Sequence, residues 1–390
     1  MLPFSGPAKP AWIGRALCLA VTDRLLRAPR IEVISQVDME RARFQLGRSA
    51  TPEAIARRTG AYLVVTGRWA RDRKGRITAE VWGVPQPVDD GQIQGRIAFS
   101  VPGADPAALG LDIAQQVLAP LGRRMAKQGS AVDGRALQSA ARGAGQIFGA
   151  GQERDVKAGL QRLSRAISLD PDFLAARLLA AEVYLVAGQP PRAVALLQKA
   201  GAQRARAAEL LGRAYEQAGR AKQADAAYRK AIELAPGRCA PRVALGDLLA
   251  SAEHATEAQA QYDRALAADD GCGEAHFSKG LLLHRAGKLD AALKRYERAA
   301  ALLPGNPDVH YYRGLILAAQ DNLEPAVAAF GQALELSPMH HDARRNLGVA
   351  LLKTGRRQAA IEAFRAYLES APPGDPHLDQ VKAQLEALND

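Results

Sequence analysis

A glycine recurs every 34 residues through the second half of this chain, and that spacing restricts the possible folds. When Gly212 is counted as position 8 of a 34-residue unit, the same position holds Gly246, Gly280, Gly314 and Gly348. In the same five units, position 20 is always alanine and position 24 is always tyrosine or phenylalanine. Self-similarity with a period of about 20 to 50 residues is typical of stacked repeats, none of which buries its apolar face alone. The sequence therefore predicts a repeat array.

Each unit is predicted to form two helices joined by a short turn. In one unit, Leu281 belongs to the apolar stripe of the first helix, and Ala292 and Tyr296 belong to that of the second. Gly287 suits a helix C-terminus between them, and Pro304 ends the second helix. A glycine inside a helix costs about 1 kcal/mol relative to alanine. Its recurrence at position 8 indicates that the paired helices approach closely and that the aromatic residue at position 24 fills the space beside them.

The pattern continues upstream in a weaker form. Ala181 and Gly159 occupy positions 8 and 20 of two earlier units, so we expect about seven units over residues 136–372. Residues 376–388 then carry an apolar stripe at helical spacing, which predicts a capping helix over the last open face.

The length and residue pattern of the units resemble those of the tetratricopeptide repeat. The family's tryptophan at position 4 is not kept, because the five regular units have Ala208, Arg242, His276, His310 and Arg344 there. The resemblance implies an all-α superhelical solenoid that binds other proteins and performs no catalysis.

In this family the first helix of each unit lines a concave groove with positions 2, 5, 9 and 12. Carried over, this implies a groove that binds a partner peptide or helix through Val243, Asp247, Glu274, Phe277, Leu281, His284, Asp308, Tyr311, Leu315 and Arg345. Phe277 and Tyr311 would be its anchors, since exposed apolar surface in a groove usually marks a binding site. The alternative is that these two rings simply pack between adjacent units.

Residues 1–128 show a different pattern, in which helices alternate with strands. Strands are predicted at MLPF, IEVIS, AYLVVTG and RITAEVW and around residues 93–101, with helices before IEVIS, after Thr51 and over residues 109–121. The order βαβαβββα predicts an α/β sandwich. The whole chain is then an α+β protein, with a linker over residues 129–135 between the sandwich and the all-α array.

The first domain resembles the amino-terminal domain of TolB, which precedes tetratricopeptide repeats in many bacterial proteins. The similar segments are LPF, IEVISQ, AIARRTGAYLVVTGRWARDRKGRITAEVWG and DIAQQVLAPL. In that family the first strand begins a few residues before LPF. We therefore expect that the true start lies upstream of Met1, where a leader could carry a targeting signal.

The distribution of charge and the lack of catalytic motifs limit the classes of function that we expect. The chain carries a net charge of +11, and residues 1–130 contain 19 basic and 11 acidic side chains. This excess leaves open a weak attraction of the first domain to nucleic acid or anionic lipid. No phosphate-binding loop, dinucleotide fingerprint, nucleophile elbow or metal-ligand spacing is present in the sequence. We therefore expect no enzyme activity, no cofactor and no metal.

Three scattered cysteines are too few for a disulfide framework. A reducing compartment, the cytoplasm, is the simpler expectation, with the periplasm as the alternative if an upstream signal exists. The favoured hypothesis is a non-catalytic adaptor that binds another protein through the groove. The alternatives are a regulatory protein whose basic first domain binds nucleic acid or a membrane surface, and a sensor or enzyme with a small-molecule site in that domain.

Overall fold

A computed structural model describes residues 15–16, 18–22, 63–71, 77–85, 97–103, 113, 133–148, 155–200 and 204–389. The chain forms two compact units, Met1–Leu248 and Leu249–Asp390. The predicted linker and domain boundaries stay predictions, although the helix that follows the linker already begins at Gly134.

Three strands of the first unit form an antiparallel sheet in the order β1-β2-β3, where β1 is Leu63–Arg71, β2 is Ile77–Pro85 and β3 is Ile97–Gly103. In its register Arg71 pairs with Ile77, and Ile77 pairs with Gly103. These strands coincide with three of the predicted ones. The other predicted strands, the helix after Thr51 and most of the closing helix lie outside the described residues, so the α/β sandwich as a whole is not shown.

Helices pair in sequence from residue 134 onward, as the 34-residue pattern predicts. The bounds are α1 Gly134–Phe148, α2 Val156–Leu169, α3 Leu174–Val186, α4 Pro190–Gln198, α5 Ala205–Gln217, α6 Ala221–Leu234, α7 Ala240–Ser251, α8 Ala255–Ala268, α9 Gly273–Arg285, α10 Leu289–Leu302, α11 Pro307–Ala319, α12 Leu323–Leu336, α13 His341–Lys353, α14 Arg357–Ser370 and α15 Leu378–Asn389. The first fourteen helices make seven pairs, and α15 follows the last pair. The prediction of seven helical repeats and a final helix is confirmed.

The recurrent glycine allows the two helices of at least four repeats to pack closely around an aromatic ring. A Cβ atom added to Gly280 would lie 2.6 Å from Cε1 of Tyr296, and one added to Gly314 would lie 2.6 Å from Cε1 of Phe330. Gly212 and Gly348 face aromatic rings in the same way. Real Cβ contacts are not this short, so position 8 has no room for a side chain. The predicted reason for the glycine is confirmed.

A second recurrent contact joins five of the seven repeats to the segment before them. In five repeats the side chain at position 4 lies within hydrogen-bonding distance of the backbone carbonyl six residues earlier. We call these contacts the latches, and they join Arg177 to Pro171, Arg242 to Pro236, His276 to Asp270, His310 to Pro304 and Arg344 to Pro338. In four of the five regular units a polar latch thus stands where the family has its tryptophan, and the remaining unit has Ala208 there.

The first described helical residues belong to the core of the first repeats. Ala16, Leu19 and Ala20 are buried in the same apolar cluster as Ala136 and Leu163. The beginning of the chain and the first helix pairs therefore share one core within the first unit.

The last helix covers the end of the array. Val381 of α15 is buried in one cluster with Leu351, Phe364 and Tyr367, and the guanidinium of Arg357 donates to the carbonyl of Leu388. This packing closes the apolar face that α13 and α14 would otherwise expose to water.

The cysteines differ from the sequence-based expectation. Cys18 is buried, whereas Cys239 and Cys272 are each disulfide-bonded. Among the described residues, no helix is long and apolar enough to cross a membrane.

Candidate functional site

Three consecutive first helices of the second unit carry the predicted groove positions. On α9, Glu274, Phe277, Leu281 and His284 are spaced by three or four residues, so they lie on one face of the helix. The same spacing recurs on α11 and α13. We call this set the aromatic face, and its residues are Glu274, Phe277, Leu281, His284, Asp308, Tyr311, Leu315 and Arg345.

Phe277 is half-buried and packs against two aromatic rings. Its ring centroid is 5.9 Å from that of Tyr296 and 5.8 Å from that of Tyr312. The ring of His284, the second-last residue of the same helix, makes an edge-to-face contact with Tyr312, with 6.3 Å between the ring centroids. Aromatic pairs at such distances add stability beyond that of their buried area. Phe277 therefore helps to join α9, α10 and α11, and part of its surface stays accessible to solvent.

Tyr311 has an equivalent position one repeat later. Its ring lies 5.1 Å from Tyr312, 6.1 Å from Phe330 and 4.6 Å from His340. Burial, followed by the negative charge of Asp342, raises the pKa of the Tyr311 hydroxyl to about 12. The hydroxyl stays protonated at neutral pH and accepts a hydrogen bond from the amide of Asn346 at 3.4 Å. Tyr311 is also half-buried, so it too combines packing between helices with partial exposure.

Carboxylates occupy position 2 in all three of these repeats. Glu274, Asp308 and Asp342 are exposed and lie in the first turns of α9, α11 and α13. Asp308 lies 3.4 Å from Nε2 of His340, and Asp342 lies 3.4 Å from the guanidinium of Arg345. The aromatic face therefore has an apolar centre and an acidic edge.

The structure separates two of the ten predicted groove residues from the other eight. Val243 and Asp247 lie on α7 in the first unit, whereas the other eight lie in the second. Val243 is buried, with 6% of its surface exposed, so it presents little surface to a partner. Asp247 is exposed. Leu281 and Leu315 are half-buried beside Phe277 and Tyr311, respectively.

Two residues of this site, Tyr312 and His340, were not predicted from the sequence. Tyr312 follows a predicted groove residue directly but occupies position 6, which the family pattern does not assign to the groove. His340 precedes α13, where its Nδ1 accepts a hydrogen bond from the backbone amide of Ala343. An N-cap role could have been predicted from its place before the helix, but its contact with Tyr311 depends on how the repeats stack.

Neither metal chemistry nor the nucleic-acid hypothesis gains support from this geometry. Within the part of the chain that the structure describes, no three His, Cys, Asp or Glu side chains converge as a metal site would require. The basic segments behind the nucleic-acid or membrane hypothesis lie largely outside the described residues.

Comparison with known families agrees with the helix pairs. Three tetratricopeptide repeat models match the chain, at residues 152–214, at residues 205–238, and in overlapping copies over 243–307, 285–330 and 311–376. This chain belongs to the tetratricopeptide repeat proteins. The matches begin at residue 152, so they do not reach the segment that resembles the TolB domain. No curated protein matches the chain significantly.

Solved structures align with this chain, and one of them has a TM-score above 0.5, which shows the same fold. The Cut9 and Hcn1 complex of the APC/C aligns with 72% of this chain and 52% of its own, with 15% identity and a TM-score of 0.53. PilF of Pseudomonas aeruginosa aligns over 54% of this chain and 97% of its own, with 18% identity and a TM-score of 0.49. YrrB, described as a tetratricopeptide repeat protein with an unusual peptide-binding site, aligns over 58% and 97%, with 20% identity and a TM-score of 0.35. Proteins with this fold are typically non-catalytic scaffolds for protein interactions.

Proposed function

We propose that this protein is a non-catalytic scaffold whose aromatic face binds a peptide or helix of another protein. The observation that carries the proposal is the pair of half-buried rings, Phe277 and Tyr311, at equivalent positions of consecutive repeats. Rings that are already packed on one side lose little freedom when a partner covers the other side. Aromatic residues near the centre of an interface commonly contribute 2 kcal/mol or more each to binding.

The acidic edge narrows the kind of partner. Position 2 is an exposed carboxylate in three consecutive repeats, and two of the three lie close to a cationic or protonatable side chain of the same face. A segment with apolar anchors and flanking Lys or Arg residues would complement this edge, and charge complementarity favours rapid association. We therefore expect a basic amphipathic segment as the partner, which binds along α9, α11 and α13.

The first domain completes the proposal. Its resemblance to the TolB amino-terminal domain suggests a second docking module in a bacterial protein, with no catalytic centre and no cofactor. The location of the protein, in the cytoplasm or in the periplasm, is also part of this proposal. The disulfide-bonded state of Cys239 and Cys272 favours an oxidising compartment, because disulfides persist there and are rare in the cytosol.

Selection of peptides from a displayed random library against the full-length protein tests the proposed groove. The dissociation constant of a selected peptide is then measured for wild type, for the Phe277→Ala/Tyr311→Ala double variant and for Asp308→Lys. We expect the double variant to weaken binding at least thirtyfold, since about 2 kcal/mol corresponds to roughly that factor. Asp308→Lys should weaken basic peptides selectively and leave the aromatic packing whole.

A matched control separates loss of the site from loss of the fold. Val186 is a large apolar residue of the first unit that is 66% exposed, and Val186→Ala should leave the affinity unchanged. Circular dichroism of each variant shows whether helicity is retained. Full affinity in a folded double variant, together with full affinity in Asp308→Lys, would exclude the aromatic face as the binding surface.

A further inference from the structure

The five latches use two kinds of side chain that respond differently to acid. Arg177, Arg242 and Arg344 donate through guanidinium groups, which stay charged at any pH at which proteins fold. His276 and His310 make the same contact through Nε2, at 3.0 Å and 3.1 Å from the carbonyl oxygens of Asp270 and Pro304. Only the histidine latches can change their protonation state between pH 5 and 8.

The surroundings of His276 favour the neutral ring. Only 2% of the residue is exposed, and because Nε2 faces a carbonyl oxygen it must carry the hydrogen of the neutral form. A second proton would enter at Nδ1, which lies 3.3 Å from the guanidinium of Arg295. Arg298 of the same helix adds a second positive charge. The carboxylate of Asp270 lies 3.6 Å from Nε2, but it is 72% exposed and also paired with Arg298.

His310 is held in the same way one repeat later. The residue is 7% exposed, and its Nδ1 is buried without a hydrogen-bond partner. The groups that face the ring are Arg313 of its own helix, whose charge lowers the pKa of the imidazole, and Gln332 of α12, whose side chain would accept a hydrogen bond from the protonated ring and raises that pKa by less than burial lowers it. No carboxylate is among these groups to stabilise an imidazolium.

We propose that His276 and His310 form an acid-sensitive pair of latches. A second proton at Nδ1 leaves the hydrogen bond from Nε2 in place but puts a charge on a buried ring beside an arginine, so that acid opens the junctions that precede α9 and α11. The two rings adjoin Phe277 and Tyr311 in the chain, so the same opening would disturb the aromatic face. The arginine latches would stay closed, which confines the change to two positions of the array.

The sign of the pH effect follows from the direction of the pKa shifts. Burial, as the largest cause, lowers the pKa of both imidazoles below the ordinary value of 6.5. The unfolded chain therefore binds protons on these rings at a higher pH than the folded chain does. Their contribution to stability is fully present above about pH 6.5 and is lost as the pH falls below it.

Hydrogen exchange of the full-length protein at pH 7 and pH 5, corrected for intrinsic exchange rates, tests this inference. In wild type we expect peptides from α9 and α11 to exchange faster at pH 5 than at pH 7, because protonation of the two rings lowers the free energy of local opening. In His276→Gln/His310→Gln the amide can still donate to the carbonyl but does not titrate, so this acceleration should disappear. His254→Gln, which changes an exposed histidine of the same unit, should retain the wild-type response.

Two outcomes would overturn the proposal. The first is that exchange in wild type and in the double Gln variant responds equally to acid, or that neither responds. The second is that a nuclear magnetic resonance titration of the wild-type imidazoles gives a pKa at or above 6.5 for either His276 or His310. The titration decides the matter even if the Gln side chains fail to rebuild the latch.

Discussion

At the scale of single residues, position 8 shows how one missing side chain determines the packing of a repeat. The ring of Tyr296 occupies the space that a Cβ atom of Gly280 would need. Gly331, in the middle of α12, has nothing within 4 Å of the equivalent point. These two helical glycines therefore differ in their surroundings and not in their backbone role.

Substitution of the two glycines by alanine should change stability in opposite directions. Gly280→Ala should destabilise the protein by roughly 1–3 kcal/mol, because the methyl group overpacks the helix pair. Gly331→Ala should be neutral or stabilising by up to about 1 kcal/mol, because alanine is the better helix former. Urea denaturation followed by circular dichroism gives both values. Equal midpoints for the two variants would show that the ring moves aside at no cost.

Much of this packing could be predicted from the residue pattern, because the glycine at position 8 and the aromatic residue at position 24 must recur together for the ring to fit beside the glycine. Gly280 and Tyr296 were paired correctly from their spacing alone. The contacts of Tyr312 and His340 were not predicted, because they join one repeat to the next. The stacking geometry that brings them together leaves no fixed spacing in the sequence. The latches were missed for a different reason: their acceptor is a backbone carbonyl, which residue identity does not reveal, and the sequence showed only that tryptophan was absent from position 4.

At the scale of elements, a buried ionic cluster links neighbouring helices of the first unit. Arg206 at the start of α5 lies 2.7 Å from Glu182 of α3 and 2.6 Å from Glu209 of its own helix. Arg238, after α6, lies 2.7 Å from the other oxygen of Glu209. The exposed side-chain fractions of these four residues are between 5% and 14%, so solvent screens the charges weakly.

Removal of Arg206 should be costly because it leaves buried carboxylates with less compensation. We expect Arg206→Ala to destabilise the first unit by about 3–5 kcal/mol. Arg229 is the matched control, since it pairs with Asp225 four residues earlier but is 54% exposed. Arg229→Ala should cost no more than about 0.5 kcal/mol. Thermal unfolding of both variants gives the comparison, and a similar small loss in each would mean that the buried cluster contributes little.

At the scale of the whole molecule, residues near the start of the chain contribute to the core of the first repeats. Repeat arrays can fold alone in general, since each repeat contacts mainly its neighbours. Ala16, Leu19 and Ala20, however, are buried in the same cluster as α1, α2 and α3. Helical periodicity predicted an apolar stripe in this first segment, but not the partner that the stripe packs against.

Deletion of residues 1–130 should therefore weaken the first repeats and leave the later ones intact. Limited proteolysis of the truncated chain should cut within α1 and α2, which the full-length chain protects. Cleavage within α9 to α14 should be unchanged, because those helices lie in the other unit. Equal resistance of α1 and α2 in both chains would show that the shared core adds nothing to their stability.

The claim that the aromatic face binds a protein segment is tested most directly by photo-crosslinking. A peptide selected against the full-length protein is synthesised with a photoreactive aromatic residue at its apolar anchor, and the crosslinked positions are identified by mass spectrometry. We predict crosslinks on α9, α11 and α13, centred on Phe277, Tyr311 and Tyr312. Crosslinks confined to the second helices α10, α12 and α14, or to residues before Gly134, would contradict the proposed function.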